Sequence, residues 1–256
     1  MFKGYIIPGV DLADISLWAF TLFFFGLIFY LRREDRREGY PLEADTTGKQ
    51  EPSGTFWFAK AKTLKLPHGK GTVTQSYGPR DTRQHALKRT EVWPGAAYTP
   101  TGDPMRDGVG PASYAERKDW PDLTVEGHPR IVPFRVARDL SVAKEDRDPR
   151  GFVVLGADNK EAGVVADLWV DRSEAIIRYI EIRLPTAGTA LLPMTLARVD
   201  MARGRILVDS ILASQFAGVP KLRNADQITR LEEDKICGYY GGGKLYATPA
   251  RLEPFA

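Results

Sequence analysis

Apolar positions fall into two regimes along this chain. Residues 12–31, LADISLWAFTLFFFGLIFYL, are apolar all round. A helix rises about 1.5 Å per residue, so this segment matches a hydrocarbon core about 30 Å thick. Backbone groups in lipid must be satisfied within the segment, so a lone span of this length is helical. Its one charge, Asp14, lies in the first turn, where the helix dipole favours an anion. Trp18 sits toward one end and Tyr30 at the other, as interfacial aromatics do. A cleaved signal peptide is the competing reading. It wants a basic start, a shorter apolar core and a small-residue cleavage site, whereas here only Lys3 precedes the run and no A-x-A follows it.

The second regime begins near Arg150, where short apolar runs alternate with turns. GFVVL (151–155), EAGVVADLWV (161–170), AIIRYIEIRL (175–184), TALLPM (189–194), ARVDM (197–201) and RILVDS (205–210) predict six short strands. At this spacing they predict a small, strongly bent sheet or barrel. In the third strand, Ile177, Tyr179, Glu181 and Arg183 share one face, and Ile176, Arg178, Ile180, Ile182 and Leu184 the other. Arg178 then lies among apolar neighbours and needs a partner, for which the adjacent turn offers Asp171 and Glu174. The alternative is an edge arginine snorkelling to water. A helix follows: Thr229 to Glu232 fits a capping box, and Gly241 to Gly243 are expected to end it.

Between the regimes the chain is loop-rich. Residues 49–133 hold ten of the 18 prolines, and segments such as YTPTGDPMRDGVGPASY (98–114) exclude long regular elements. Yet Phe56, Trp57, Phe58, Trp93, Tyr98, Tyr114 and Trp120 run through it, which a disordered linker would lack. It reads as extended chain pinned to a surface, its own or a partner's. KTLKLPHGKGTVTQ (62–75) predicts a hairpin with Pro67 to Gly69 in its turn, which makes His68 a turn residue rather than a ligand.

Charge orients the span. Arg32, Arg33, Arg36 and Arg37 follow it, against Lys3 before it, so the positive-inside rule places the bulk of the chain in the cytoplasm. The single cysteine, Cys237, agrees with a reducing compartment and excludes an internal disulfide framework. Lys and Arg total 36 against 33 acids, too balanced for an obvious nucleic-acid binder. No nucleophile motif, dinucleotide glycine pattern or kinase motif is present, and His68, His85 and His128 are too scattered to suggest a metal site. An enzyme is therefore not expected. What remains is a set of titratable groups that could share a site: Asp122, Glu126 and His128 in PDLTVEGH, and Asp167, Asp171 and Glu174 in ADLWVDRSE. Clustered carboxylates raise one another's proton affinity, so a row of them could pass protons from water to a buried acceptor. The plainer alternative is a solvated acidic turn.

FFFGLIFYLRREDRREGYPLE (23–43) resembles the H subunit of the purple-bacterial photosynthetic reaction centre. So do TGDPMRDGVGPASYAER (101–117), ADLWVDRSE (166–174), LLPM (191–194) and LEEDKICGYYGGGKLYATP (231–249), in the family's order. The resemblance implies a single-pass, non-enzymatic subunit that binds no pigment and caps the cytoplasmic face of the L and M subunits. It shields their quinone pockets and helps deliver protons to the secondary quinone, QB. Bacteriochlorophyll, bacteriopheophytin, quinones and non-haem iron are implied in L and M alone. A cytochrome subunit, the light-harvesting ring and membrane lipids are implied neighbours, nucleic acid is not, and the location is the intracytoplasmic part of the bacterial inner membrane.

The fold expected is one N-terminal transmembrane helix plus a mostly β cytoplasmic domain containing a PRC-barrel and a C-terminal helix. The expected divisions are a periplasmic tail (1–11), the span (12–31), a collar and loop-rich surface-binding region (32–145) and the barrel with its helix (146–256). By resemblance, Asp171 and Glu174 carry protons, and His128 matches a histidine at the proton inlet. Glu126 stands where some members have another histidine, and Thr124 where an aspartate occurs. Asp122 and Glu126 are competent substitutes in the relay, with Arg178 and Asp167 tuning it by charge. The alternatives are a membrane-tethered PRC-barrel RNA-binding or assembly module, and an anchored enzyme with an unrecognised site.

Overall fold

The computed structural model describes residues 5–7, 9–50, 58–75, 81, 83–186 and 188–252. Lys3, Phe56, Trp57 and Ala187 lie outside the described residues. The chain forms two compact units, residues 1–82 with 92–96, and residues 83–91 with 97–256.

In the first unit a short antiparallel ribbon, β1 (Tyr5–Ile7) and β2 (Val10–Asp11), leads into α1 (Leu12–Glu34). Asp11 caps α1 by accepting from the Asp14 amide at 2.9 Å, and the Asp14 carboxylate accepts from the Asp11 amide at 3.1 Å. This reciprocal pair gives Asp14 a local task beyond its favourable place in the helix dipole. No side chain of α1 is buried, so the helix is apolar toward its surroundings on every side, as a lipid-facing span requires. Ser16 and Thr21 donate back to the Leu12 and Leu17 carbonyls at 2.7 and 2.8 Å. Their hydroxyls are thereby satisfied without water.

Beyond the span the arginines are engaged. Arg37 grips the Glu34 carboxylate with two nitrogens, at 2.7 and 2.8 Å, and donates to the Lys60 carbonyl at 2.8 Å. Gln75 answers with a hydrogen bond to the Arg37 carbonyl, 2.8 Å, and Lys62 reaches Glu34 at 3.2 Å. Lys62 and Gln75 flank the predicted hairpin, β3 (Thr63–Lys65) and β4 (Thr72–Thr74), so its base is fastened to the helix end. His68 takes a positive φ of 57° in the turn, as expected.

In the second unit, β5 (Leu87–Arg89) and β6 (Tyr98–Pro100) form a small ladder, followed by α2 (Pro104–Asp107). The main sheet contains β7 (Ile131–Pro133), β8 (Val153–Leu155), β9 (Glu161–Asp171), β10 (Ile176–Arg183), β11 (Thr189–Pro193), β12 (Arg198–Asp200) and β13 (Arg205–Leu207). Its order is β11-β10-β9-β8-β13-β12, with β7 also on β9. All six predicted strands are present. β7 is an addition: IVP is too short, and ends in proline, to announce itself. Strand β9 is long enough to serve three neighbours, β10 along its length, β8 through its first half and β7 through its last three residues. The bend needs a close approach at Gly163, where a Cβ would sit 2.2 Å from the Arg183 carbonyl oxygen. Val154, Leu168, Trp169, Ile180, Ile182, Leu192 and Ile206 fill the core, and Ile236 and Tyr240 of α3 (Arg230–Tyr246) close it.

Two expectations fail. Helix α3 begins at the predicted capping box, with Thr229 accepting from the Glu232 amide, but it does not end at Gly241–Gly243. It runs through them to Tyr246, because they give another segment room. A Cβ on Gly238 would lie 2.6 Å from the Ala112 carbonyl, and one on Gly242 would lie 2.4 Å from the Ala112 Cβ. The GPAS segment lies against this glycine face. Farther along the segment before β7, Arg117 pairs with Asp234 at 2.9 Å and Thr229 donates to Asp119 at 2.8 Å. The proline-rich segment from residue 97 is thus pinned to the unit's own surface. The second failure is the alternation of β10, where a register shift between Ile177 and Tyr179 leaves Arg178 in a bulge. Arg178 is 44% exposed rather than sunk among apolar residues.

Candidate functional site

Strand β9 ends on Asp171, whose side chain is 0% exposed. The chain then turns tightly, with the Ala175 amide donating to the Asp171 carbonyl at 2.8 Å and Ala175 at a φ of 54°. This turn aims the Ser173 and Glu174 amides at Asp171 Oδ1, at 3.0 and 3.2 Å. The same oxygen accepts from Arg130 Nε at 2.9 Å. Oδ2 faces two cations, Arg130 Nη2 at 2.8 Å and Arg178 Nε at 3.5 Å. Glu174, half exposed, shares both: it hydrogen-bonds to Arg130 Nη2 and lies 4.0 Å from Arg178 Nη2. Asp122 completes the ring, 3.7 Å from Arg130 Nη1.

Arg130 therefore organises the cluster. Its backbone is held on both sides, its amide donating to the Asp122 carbonyl at 2.8 Å and its carbonyl accepting from the Arg172 amide at 2.9 Å. The pairing of β7 with the end of β9, Ile131 opposite Asp171, sets this position.

Of the residues expected to act together, Asp122, Asp171, Glu174 and Arg178 do converge. His128 and Glu126 lie exposed on the loop that leads from Asp122 to Arg130, closed by the Thr124 amide on the His128 carbonyl at 2.8 Å. Asp167 belongs to another constellation, against the expectation that it tunes the same site. With its cross-strand neighbour Glu181 it grips Arg135, at 3.2 and 2.8 Å, and Glu181 also accepts from the Trp169 indole at 2.8 Å. Position along the strand decides this: Asp167 is buried midway along β9 and Asp171, four residues on, at its end. Sequence reasoning missed Arg130, Arg135 and the hydroxyl–carboxylate pair of Tyr179 and Glu233, joined at 2.9 Å.

The electrostatics also correct an expectation. Clustered acids were expected to raise one another's proton affinity. Burial does push Asp171 upward, but the Arg130 hydrogen bond and the Ser173 and Glu174 amides outweigh it, and its pKa ends below the ordinary carboxylate range. The Thr124 hydroxyl foremost, then its own amide, hold Glu126 low as well. Asp171 is thus a buried anion flanked by a half-exposed acid, both bound to one guanidinium. Such a pair can take a proton from the water side and move it inward without exposing the buried member.

Among the described residues, no group of three or more His, Cys, Asp or Glu is arranged to hold a metal ion. Residues 142–215 match the PRC-barrel domain, which covers β8 to β13 and the loops around them. Residues 4–136 match the N-terminal region of the photosynthetic reaction centre H-chain, over the span, the arginine collar, the hairpin and the loop that carries Arg130. That match takes in just over half of the sequence, and the chain belongs to the photosynthetic reaction centre H-chain family.

Proposed function

We propose that this chain caps the cytoplasmic face of the L and M subunits, stabilises their assembly, shields the quinone pockets they hold, and supports proton delivery to the secondary quinone QB. The observation that carries the proton route is Asp171, wholly buried yet joined through Arg130 to the half-exposed Glu174. Reducing QB fully requires two protons at a buried site, where uncompensated negative charge is costly. Glu174 receives a proton at the surface and Asp171 passes it inward, while Arg130 and Arg178 keep the intervening anions tolerable. Asp122, Glu126 and His128 serve as the water-side inlet. The pigments, quinones and non-haem iron belong to L and M in this reading, and a cytochrome subunit, the light-harvesting ring and membrane lipids are neighbours. The chain crosses the inner membrane once with its N-terminus in the periplasm.

In the intact complex, Glu174→Gln slows the proton-coupled second electron transfer to QB several-fold and leaves primary charge separation unchanged. Flash absorption spectroscopy reads both. Normal second-transfer kinetics in that variant would remove Glu174 from the route.

A further inference from the structure

A carboxylate outside the Arg130 ring stands on α3 beside the bulged stretch of β10 that carries Arg178. Glu233 Oε2 accepts a hydrogen bond from the Tyr179 hydroxyl at 2.9 Å. Tyr179 is buried on β10, next in sequence to Arg178, whose guanidinium reaches Asp171 at 3.5 Å and Glu174 at 4.0 Å. The bulge at Arg178 creates this arrangement. It turns the arginine out of the strand's alternation and leaves Tyr179 to pair with Trp169 on β9. One short stretch of β10 therefore presents a hydroxyl to Glu233 and a cation to the route carboxylates.

We propose that Glu233 is a third proton-carrying carboxylate on this route, a reservoir that loads from water and hands its proton past Arg178 to the Glu174–Asp171 pair. The inference rests on the proton-delivery reading given above. At each handover one proton leaves the Glu233 carboxyl for the Glu174 carboxylate, and water restores it. Tyr179 keeps its own proton throughout. Burial pushes the tyrosine's pKa far upward, so it acts as a fixed donor that orients Glu233 and is no relay itself.

The charged and titratable groups that face Glu233 are Tyr179 and Arg178 from β10, Asp122 from the loop before β7, and Asp234 and Cys237 from α3 itself. Burial raises the pKa of Glu233. The Tyr179 hydrogen bond and Arg178 oppose this, Asp122 and Asp234 reinforce it, and the net shift is upward. Asp171, gripped by Arg130, is shifted the other way. Glu233 and Asp171 thus differ in proton affinity, which separates a group that stores a proton from one that transmits it.

The test is the rate of the second electron transfer to QB as a function of pH in complexes carrying Glu233→Gln, Tyr179→Phe and Glu174→Gln. Glu233→Gln is expected to slow the transfer several-fold and to abolish one inflection of the profile. Tyr179→Phe, which removes a hydrogen bond to the Glu233 anion, is expected to move that inflection to higher pH. A merely structural role for Glu233 would not move it. An unchanged profile in Glu233→Gln, with Glu174→Gln still slow, overturns this proposal and leaves the route standing. Unchanged rates in both overturn the route itself. Should Glu233→Gln fail to assemble, Tyr179→Phe decides: an inflection shifted upward supports the proposal and an unmoved one overturns it.

Discussion

Asp171 shows how little composition says about a carboxylate's proton affinity. ADLWVDRSE reads as an acidic turn, and acids alone would hold one another's protons. The arginine that reverses this lies 41 residues earlier in the chain. Its nearness depends on β7 pairing with the end of β9, which three residues containing a proline could not disclose. Arg178, by contrast, was legible as a partner of Asp171 and Glu174, although the bulge that exposes it was not. Replacing Arg130 by Met leaves Asp171 buried with only Arg178 near it. Breaking one side of such a pair costs about 3 kcal/mol, the low end of the usual range because one cation remains. Thermal unfolding of the full chain in mild detergent at pH 7 measures this. The sign with pH follows from the depressed native pKa. Asp171 contributes stability above its unfolded value of about 3.9, and that stability is lost as pH falls through the lower native value. The penalty of Arg130→Met therefore shrinks on acidification, once the orphaned Asp171 is protonated.

Elements were legible where a local rule decides them. The six strands of the bent sheet follow from alternation and turn residues, and the start of α3 follows from its capping box. Where α3 ends was not legible, because glycine normally stops a helix and here it makes room. The reason lies in the segment after α2, whose Ala112 backbone approaches the helix too closely for any side chain. Gly242→Ala should accordingly destabilise by about 1–3 kcal/mol, the usual cost of overpacking, even though alanine is the better helix former. Gly241→Ala, whose new methyl would meet only the Pro111 carbonyl oxygen, at 3.1 Å, should cost less. Denaturant titrations of the two variants, side by side, separate steric fit from helix propensity. The proline-rich segment as a whole could be read as pinned, from its aromatics, but not to what. The ion pair of Arg117 with Asp234 and the hydrogen bond of Thr229 to Asp119 each join residues more than a hundred positions apart, and no pattern within a window reports that.

For the whole molecule, the span and the family were legible, since a twenty-residue run with a single charge and a string of long motifs leave few alternatives. Orientation is a prediction of the arginine collar. In sealed vesicles with the cytoplasmic face outward, protease should remove nearly everything after residue 37, and in vesicles of the opposite sense it should spare that part. The collar does more than set orientation, however. Arg37 holds Glu34, the Lys60 carbonyl and Gln75 at once, and Lys62 closes the clasp from the other side. The β3–β4 hairpin is thereby welded to the foot of the rod, with no swivel between them. A rod longer than the hydrocarbon thickness leans over in a thinner bilayer, and whatever is bolted to its foot must lean with it. Bilayer thickness becomes a lever: a few degrees of tilt swing the hairpin through an arc, and cutting the clasp with Arg37→Ala would let the rod lean while the hairpin stays put.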